Sequence, residues 1–94
     1  MSNRPAANPV GVTTSAAVFS GACVYKGVSV RETAGAVASL RIFDGTTAAG
    51  TLLAAISLPA NGSFAENLPD GVRATTGIYF SVVAGAVEGS VRVG

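Results

Sequence analysis

The chain contains 94 residues, with six lysines and arginines, five aspartates and glutamates, and no histidine. This length corresponds to one domain, and a net charge of +1 excludes the strongly basic surface with which proteins bind nucleic acid. Because charged residues make up only 12% of the chain, fewer than a free soluble monomer usually exposes, we expect an assembly to cover part of the surface. The alternative is a compact monomer that Ser, Thr and Gly keep soluble.

Cys23 is the single cysteine, which excludes a disulfide within the chain. Its apolar context, GACVY, predicts a buried and unreactive thiol. The first residues, MSNRPAANPVGV, lack the apolar run of a signal peptide, and no run of 18 apolar residues predicts a membrane span. We therefore expect synthesis in a cytosol and no membrane partner.

Residues 1–12 predict a flexible N-terminal arm, because they hold two of the four prolines and show little periodicity. The arm is expected to be disordered or to become ordered against a partner. Deletion of residues 2–12 is accordingly expected to leave the domain, residues 13–94, folded.

From residue 13 onward, apolar residues alternate with polar ones, and no helical stripe persists. The alternation predicts about seven or eight strands, over residues 13–20, 22–33 with a bend near Gly27, 36–43, 51–58, 63–68, 77–84 and 88–93. Such strands are typical of antiparallel sheets with one buried face. The prediction is an all-β domain, a single antiparallel β-sandwich or jelly roll, with a small barrel as the second choice.

Alternation also predicts which side chains form the core. Over residues 51–58, Leu52, Ile56 and Leu58 are expected to point inward and Leu53 outward. Over residues 36–43, Arg41 is expected to point outward.

Three dipeptides predict turns. Asn61-Gly62 is the strongest hairpin signal, because a type I′ turn needs two residues that tolerate positive φ. At Asp44-Gly45 and at Asp70-Gly71 the carboxylate is expected to accept a hydrogen bond from its own downstream amide.

The residue inventory predicts no catalysis. Without histidine, the commonest general base and the usual nucleophile pairs are missing. One cysteine and five scattered carboxylates do not form a metal-ligand pattern, and no glycine-rich phosphate loop is present. We therefore expect no enzyme activity, no cofactor, no metal and no small-molecule substrate.

Three arginines are candidates for contact with a partner. Arg31, Arg41 and Arg92 are expected to line the outer face of one sheet, either as a solvated face near Glu32 and Glu88 or against an acidic or carbonyl-rich patch of a partner. Together with positions in the arm, the candidate contact residues are Arg4, Pro5, Asn8, Pro9, Arg31, Arg41 and Arg92.

Three segments, YKGVSVRETAG, LRIFDGTTAAGTLLAAISLPANG and LPDGVRATTGIYFSVVAGAVEGSVRVG, carry a resemblance over residues 24–94. In this order they resemble the small β-rich structural proteins of tailed bacteriophage virions. The resemblance implies a capsid decoration, or cement, protein on the outer capsid surface that binds the major capsid protein or another virion protein. The expected form is a homo-oligomer, a trimer before other states.

Two other functions remain open at this stage. One is a structural component of the tail, neck or fibre of the same kind of virion. The other is a carbohydrate- or surface-binding β-sandwich, which the absence of Trp and the presence of only two Tyr disfavour.

Overall fold

A computed structural model describes residues 8–94, which form eight strands and no helix. No segment of this range is therefore a helix long and apolar enough to cross a membrane. The strands are β1 (Asn8–Val12), β2 (Ala16–Ser20), β3 (Cys23–Glu32), β4 (Ala38–Asp44), β5 (Thr51–Leu58), β6 (Ser63–Ala74), β7 (Gly77–Ala84) and β8 (Val87–Val93).

The strands form two antiparallel sheets of four, packed as a sandwich. Sheet I has the order β1-β8-β3-β6, and sheet II has the order β2-β7-β4-β5. The first strand pairs with the eighth, the second with the seventh, the third with the sixth and the fourth with the fifth. This is the connectivity of a jelly roll, in which one long hairpin is rolled into two sheets. The predicted sandwich is confirmed.

A single core lies between the sheets, built from alternate residues of each strand. The largest fully buried side chains come from both layers: Tyr25, Phe80, Leu40, Ile42, Leu58, Ile78, Val28 and Val91. Burial of an aliphatic or aromatic side chain contributes roughly 1.5–3 kcal/mol. The alternation predicted from the sequence thus places inward the apolar side chains that hold the two layers together.

The bend predicted near Gly27 is present. The pairing of β3 with both neighbours shifts between Tyr25 and Gly27, where Gly27 has a φ of 128°. A Cβ at this position would overlap the carbonyl oxygen of Glu66. Only glycine therefore allows β6 to approach the bend of β3 so closely.

The prediction for Leu52 and Leu53 is wrong. The register of β4 with β5 shifts between Ile42 and Phe43: Ile42 pairs with Ala54, whereas the next residue, Phe43, pairs with Leu52. The extra residue, Leu53, packs against the core, while Leu52 is 50% exposed. A bulge of this kind reverses the faces on which the following side chains lie.

The arm boundary also differs from the prediction. Asn8–Val12 form β1, which pairs with β8 over its whole length. Val12 is buried, and Val10 packs against the core. The remaining residues of the predicted arm, 1–7, lie outside the described part of the chain.

The turn at Asn61-Gly62 is present, but it is not a hairpin. It connects β5 in sheet II to β6 in sheet I, and the Gly62 N–H donates to the Pro59 carbonyl at 2.8 Å. Only Asn61 of the pair has a positive φ, 59°. A single left-handed residue at the third turn position is typical of a type II turn, not of type I′.

The place of β1 in sheet I yields a stability prediction. Deletion of residues 2–12 removes the buried Val12 and the partly buried Val10, and it is expected to lower the free energy of unfolding by about 3 kcal/mol. Urea denaturation followed by circular dichroism measures the loss. Deletion of residues 2–7, which keeps all of β1, is the control. Equal stability of the 2–12 deletion and the full chain would contradict the role of β1.

Candidate interaction surfaces

The outer face of sheet I is built from small and polar side chains. One row across its four strands consists of Gly11, Ser90, Ser29 and Ala65, which lie opposite one another in register. Because these side chains are small, they rise little above the backbone of the sheet. A depression of about 560 Å³ lies here, between β1, β8, β3 and the start of β6.

Two opposite charges beside the depression form an ion pair. Arg31 lies opposite Glu88 in the pairing of β3 with β8, and its Nε donates to Glu88 Oε2 at 2.7 Å. The side chains are 66% and 50% exposed, so the pair contributes little to stability, about 0–1 kcal/mol. Because the two charges cancel, the surface around the depression carries no strong net charge.

The outer face of sheet II is different, because an apolar row crosses it. Ala17 lies opposite Tyr79, Tyr79 opposite Phe43, and Phe43 opposite Leu52. We call these four residues the apolar strip. Tyr79 and Phe43 are half-buried, and Leu52 is half-exposed. Since β-strand side chains alternate between faces, the strip points away from the core that Ile42 and Phe80 form.

The sandwich does not place the three predicted arginines on one face. Arg31 and Arg92 alternate with buried residues of β3 and β8, on the outer face of sheet I. Arg41 lies on the outer face of sheet II, opposite Ser81 and Ala55 in register. The expectation of one arginine-lined face is therefore wrong, because β4 lies in the other layer from β3 and β8.

The remaining candidate contacts lie at the edge or beyond the described chain. Asn8 and Pro9 belong to β1, where Asn8 pairs with Val93 and Pro9 with Arg92. Both are exposed on the edge strand of sheet I. Arg4 and Pro5 lie outside the described residues.

Glu32 holds two loops together rather than lying near the arginines. It is the one buried charged residue of the described chain, 3% exposed. Its carboxylate accepts four backbone N–H bonds, from Ala34, Gly35, Ala36 and Asn61, at 2.6–3.1 Å. These donors, led by Asn61, hold the pKa of Glu32 below its usual range despite its burial.

Asp44 has a similar role at the opposite end of the sandwich. Its carboxylate accepts the N–H groups of Thr75 at 3.0 Å and Thr76 at 2.9 Å, together with the Thr75 hydroxyl at 3.1 Å. The backbone donors lower the pKa of Asp44. The bond to its own downstream amide that the sequence predicted is replaced by bonds to the turn between β6 and β7. The turn predicted at Asp70-Gly71 is wrong, because both residues lie within β6, where the pairing with β3 is interrupted.

Two other ionisable groups, Tyr25 and Cys23, have raised pKa values because of their surroundings. The Tyr25 hydroxyl donates to Glu66 at 2.9 Å, and burial, with this bond, raises the pKa of Tyr25. Cys23 is half-buried, not fully buried as predicted, and this burial, with the charge of Asp44, raises the pKa of its thiol. No three His, Cys, Asp or Glu residues within 8–94 come together as a metal site would require.

Sequence reasoning missed the apolar strip. The sequence predicts Leu52 in the core, whereas the structure places it on the outer face, opposite Phe43. Alternation assigns each residue to a face of its own strand, yet it does not say which strands are neighbours. A run of apolar residues one per strand is visible only after pairing and the Leu53 bulge are known.

Comparison with known proteins finds no matching family model, no similar curated protein and no similar solved structure.

The loop-binding carboxylates yield a pH prediction. Because the folded-state pKa values of Glu32 and Asp44 are lowered, their contribution is full above the unfolded values, near 4, and is lost as pH falls through the folded values. The melting temperature is expected to decrease steadily below about pH 4.5. Glu32→Gln should lower the melting temperature at neutral pH and weaken its acid dependence.

Glu88→Gln provides the matched control, since it also removes one negative charge but breaks only an exposed ion pair. Calorimetry from neutral to acid pH distinguishes the two. Identical melting profiles of Glu32→Gln and Glu88→Gln would contradict the role assigned to Glu32.

Proposed function

We propose that this chain is a non-enzymatic structural protein of a tailed-phage virion, a capsid decoration protein that docks on the shell through the outer face of sheet II. The observation that carries the proposal is the apolar strip. A small sandwich with one core gains nothing in its own stability from exposing Leu52 and from leaving Phe43 and Tyr79 half-uncovered. Exposed aromatic side chains are enriched at protein interfaces.

The surroundings of the strip suit a protein partner. Arg41 lies one outward position from Phe43 along β4, and its row continues with Ser81 and Ala55. A single cation beside an apolar row can bind a carboxylate or carbonyl oxygen of the partner and fix the orientation of docking. This retains one of the three predicted arginine contacts at a defined place.

The fold supports the proposal by analogy. Eight-stranded jelly rolls occur in viral capsid proteins and in lectins, and the resemblance of residues 24–94 is to virion proteins. Fold alone does not determine function. The analogy becomes useful here because it is joined to an exposed apolar surface and to a chain whose ionisable groups are largely engaged in structural bonds.

The carboxylates support binding rather than chemistry. Glu32 and Asp44 hold loops, Glu66 accepts from Tyr25, and Glu88 pairs with Arg31. Each is occupied by a protein donor and does not point into a shared cavity. The depression on sheet I is lined by Gly, Ser, Thr, Val, Arg and Glu without an aromatic ring, and rings on which a sugar could stack are absent from that lining.

A charge placed in the strip tests the proposal. Leu52→Glu introduces a carboxylate at a half-exposed position and is expected to weaken binding to purified capsid shells about tenfold or more, because docking would bury the new charge without a partner. Co-sedimentation of the protein with shells measures the affinity.

Ala65→Glu is the matched control, because it puts the same charge on the opposite outer face. It is expected to bind shells as the unaltered chain does. The proposal fails if Ala65→Glu abolishes binding while Leu52→Glu has no effect, or if the unaltered chain does not bind shells.

A further inference from the structure

The sandwich has four edge strands, and three of them carry features that prevent pairing with another chain. Edge strands β1 and β6 border sheet I, and β2 and β5 border sheet II. β1 is five residues long and contains Pro9. β2 is equally short and is irregular between Ala17 and Phe19. Short length, proline and bulges are the usual means by which proteins protect an edge.

β6 is protected by charge and by its shape. It contains Glu66, Asp70 and Arg73, together with Pro69 and the positive-φ residue Gly71. Its pairing with β3 breaks between the Val72 and Asn67 pairs. A second strand could not follow this edge without meeting charges and an irregular backbone.

β5 has none of these features over its second half. Ala54–Leu58 pairs with β4 in unbroken register, from Ala54 opposite Ile42 to Leu58 opposite Ala38. The whole strand, TLLAAISL, contains no charged residue, no proline and no glycine. Within residues 8–94, no hydrogen bond outside the ladder with β4 involves its backbone. Every second residue of an antiparallel edge directs its N–H and C=O groups away from the sheet.

We propose that residues 54–58 of β5 pair antiparallel with the same residues of a second copy of this chain, about a two-fold axis at Ile56. In this register Ala54 lies opposite Leu58 of the second copy, and Ala55 opposite Ser57. Residues that face the core meet residues that face the core, and outward residues meet outward ones. The two four-stranded sheets II then become one eight-stranded sheet.

The side chains on both faces fit such a junction. On the inner face, Ile56 and Leu58 are already part of the core, so that the two cores become neighbours. On the outer face, Ala55 and Ser57 are exposed and small, and they meet without crowding. The extra residue Leu53 lies outside the paired stretch.

Self-pairing of β5 meets no charge repulsion, and a second copy supplies a matching uncharged edge. A two-fold axis brings each side chain close to a copy of itself or of a near neighbour, which is costly for a charged strand. β5 has no charge to oppose itself. The nearest outward cation, Arg41, lies on β4, and three strand spacings put it about 14 Å or more from its copy, beyond the screening length in physiological salt.

This assembly differs from the trimer expected from the sequence. It stands independently of the proposed binding to a capsid, because it rests on the edge of sheet II and not on the outer face. Its two-fold symmetry is a closed arrangement, so that pairing ends at the dimer.

Light scattering coupled to size-exclusion chromatography tests the inference on the full chain. A mass of two chains that falls to one chain on dilution is expected. The double variant Ala55→Lys/Ser57→Lys, which sets like charges opposite one another across the axis, should lose the dimer. Ala65→Lys, on the edge strand of sheet I, should keep it. A monomer at all concentrations, a trimer, or a dimer that survives the double variant would overturn the inference.

Disulfide trapping tests the register, and it does not depend on the charged variant. In a Cys23→Ala background, equal amounts of Ala55→Cys and Ser57→Cys chains are mixed under mild oxidation. The mixed disulfide is expected to form in preference to either homodimer, because the two positions lie opposite each other across the axis. The statistical yield, in which the mixed disulfide is only twice as abundant as each homodimer, or no disulfide at all, would contradict the register.

Discussion

The burial of one face of each sheet against the other is the constraint on which the rest of this structure depends. With 25 Val, Leu, Ile and Phe in 94 residues, the chain can fill one thin core and no second one. Inward positions are therefore apolar, from Val28 in sheet I to Phe80 in sheet II. Glu32 and Asp44 then hold loops at the two ends by accepting backbone N–H groups. What remains free to vary is the pair of outer faces and the edges.

Those free surfaces differ in ways that suggest a division of roles. The outer face of sheet I is small, polar and neutral around Arg31 and Glu88, whereas sheet II exposes Tyr79, Phe43 and Leu52 in one row. If two chains pair through β5, both apolar strips lie on the same side of the joined sheet. Under the proposed docking, two weak contacts to one shell would act together, since the second forms at a high effective concentration.

Much of the fold could be predicted because local signals agree with it. Alternation places Ile78, Phe80 and Val82 on one face of β7, and Gly27 marks the bend of β3. β1 was not predicted, because what makes it a strand is its pairing with β8 at the far end of the chain. Its own proline and glycine are typical of a loop. Leu52 was misplaced because a bulge leaves no mark in the apolar pattern. The apolar strip can be recognised only when the order of four strands is known. A single sequence does not give this order.

We propose that the outer face of sheet II docks on a capsid shell. Cryo-electron microscopy of phage particles incubated with this protein tests the proposal directly, because the map shows both the position of the chain and the face it turns to its partner. We expect density for the sandwich on the head, with Phe43, Leu52 and Tyr79 against the shell. Density on the tail, or a sandwich whose sheet I faces the shell while the apolar strip faces solvent, would contradict it.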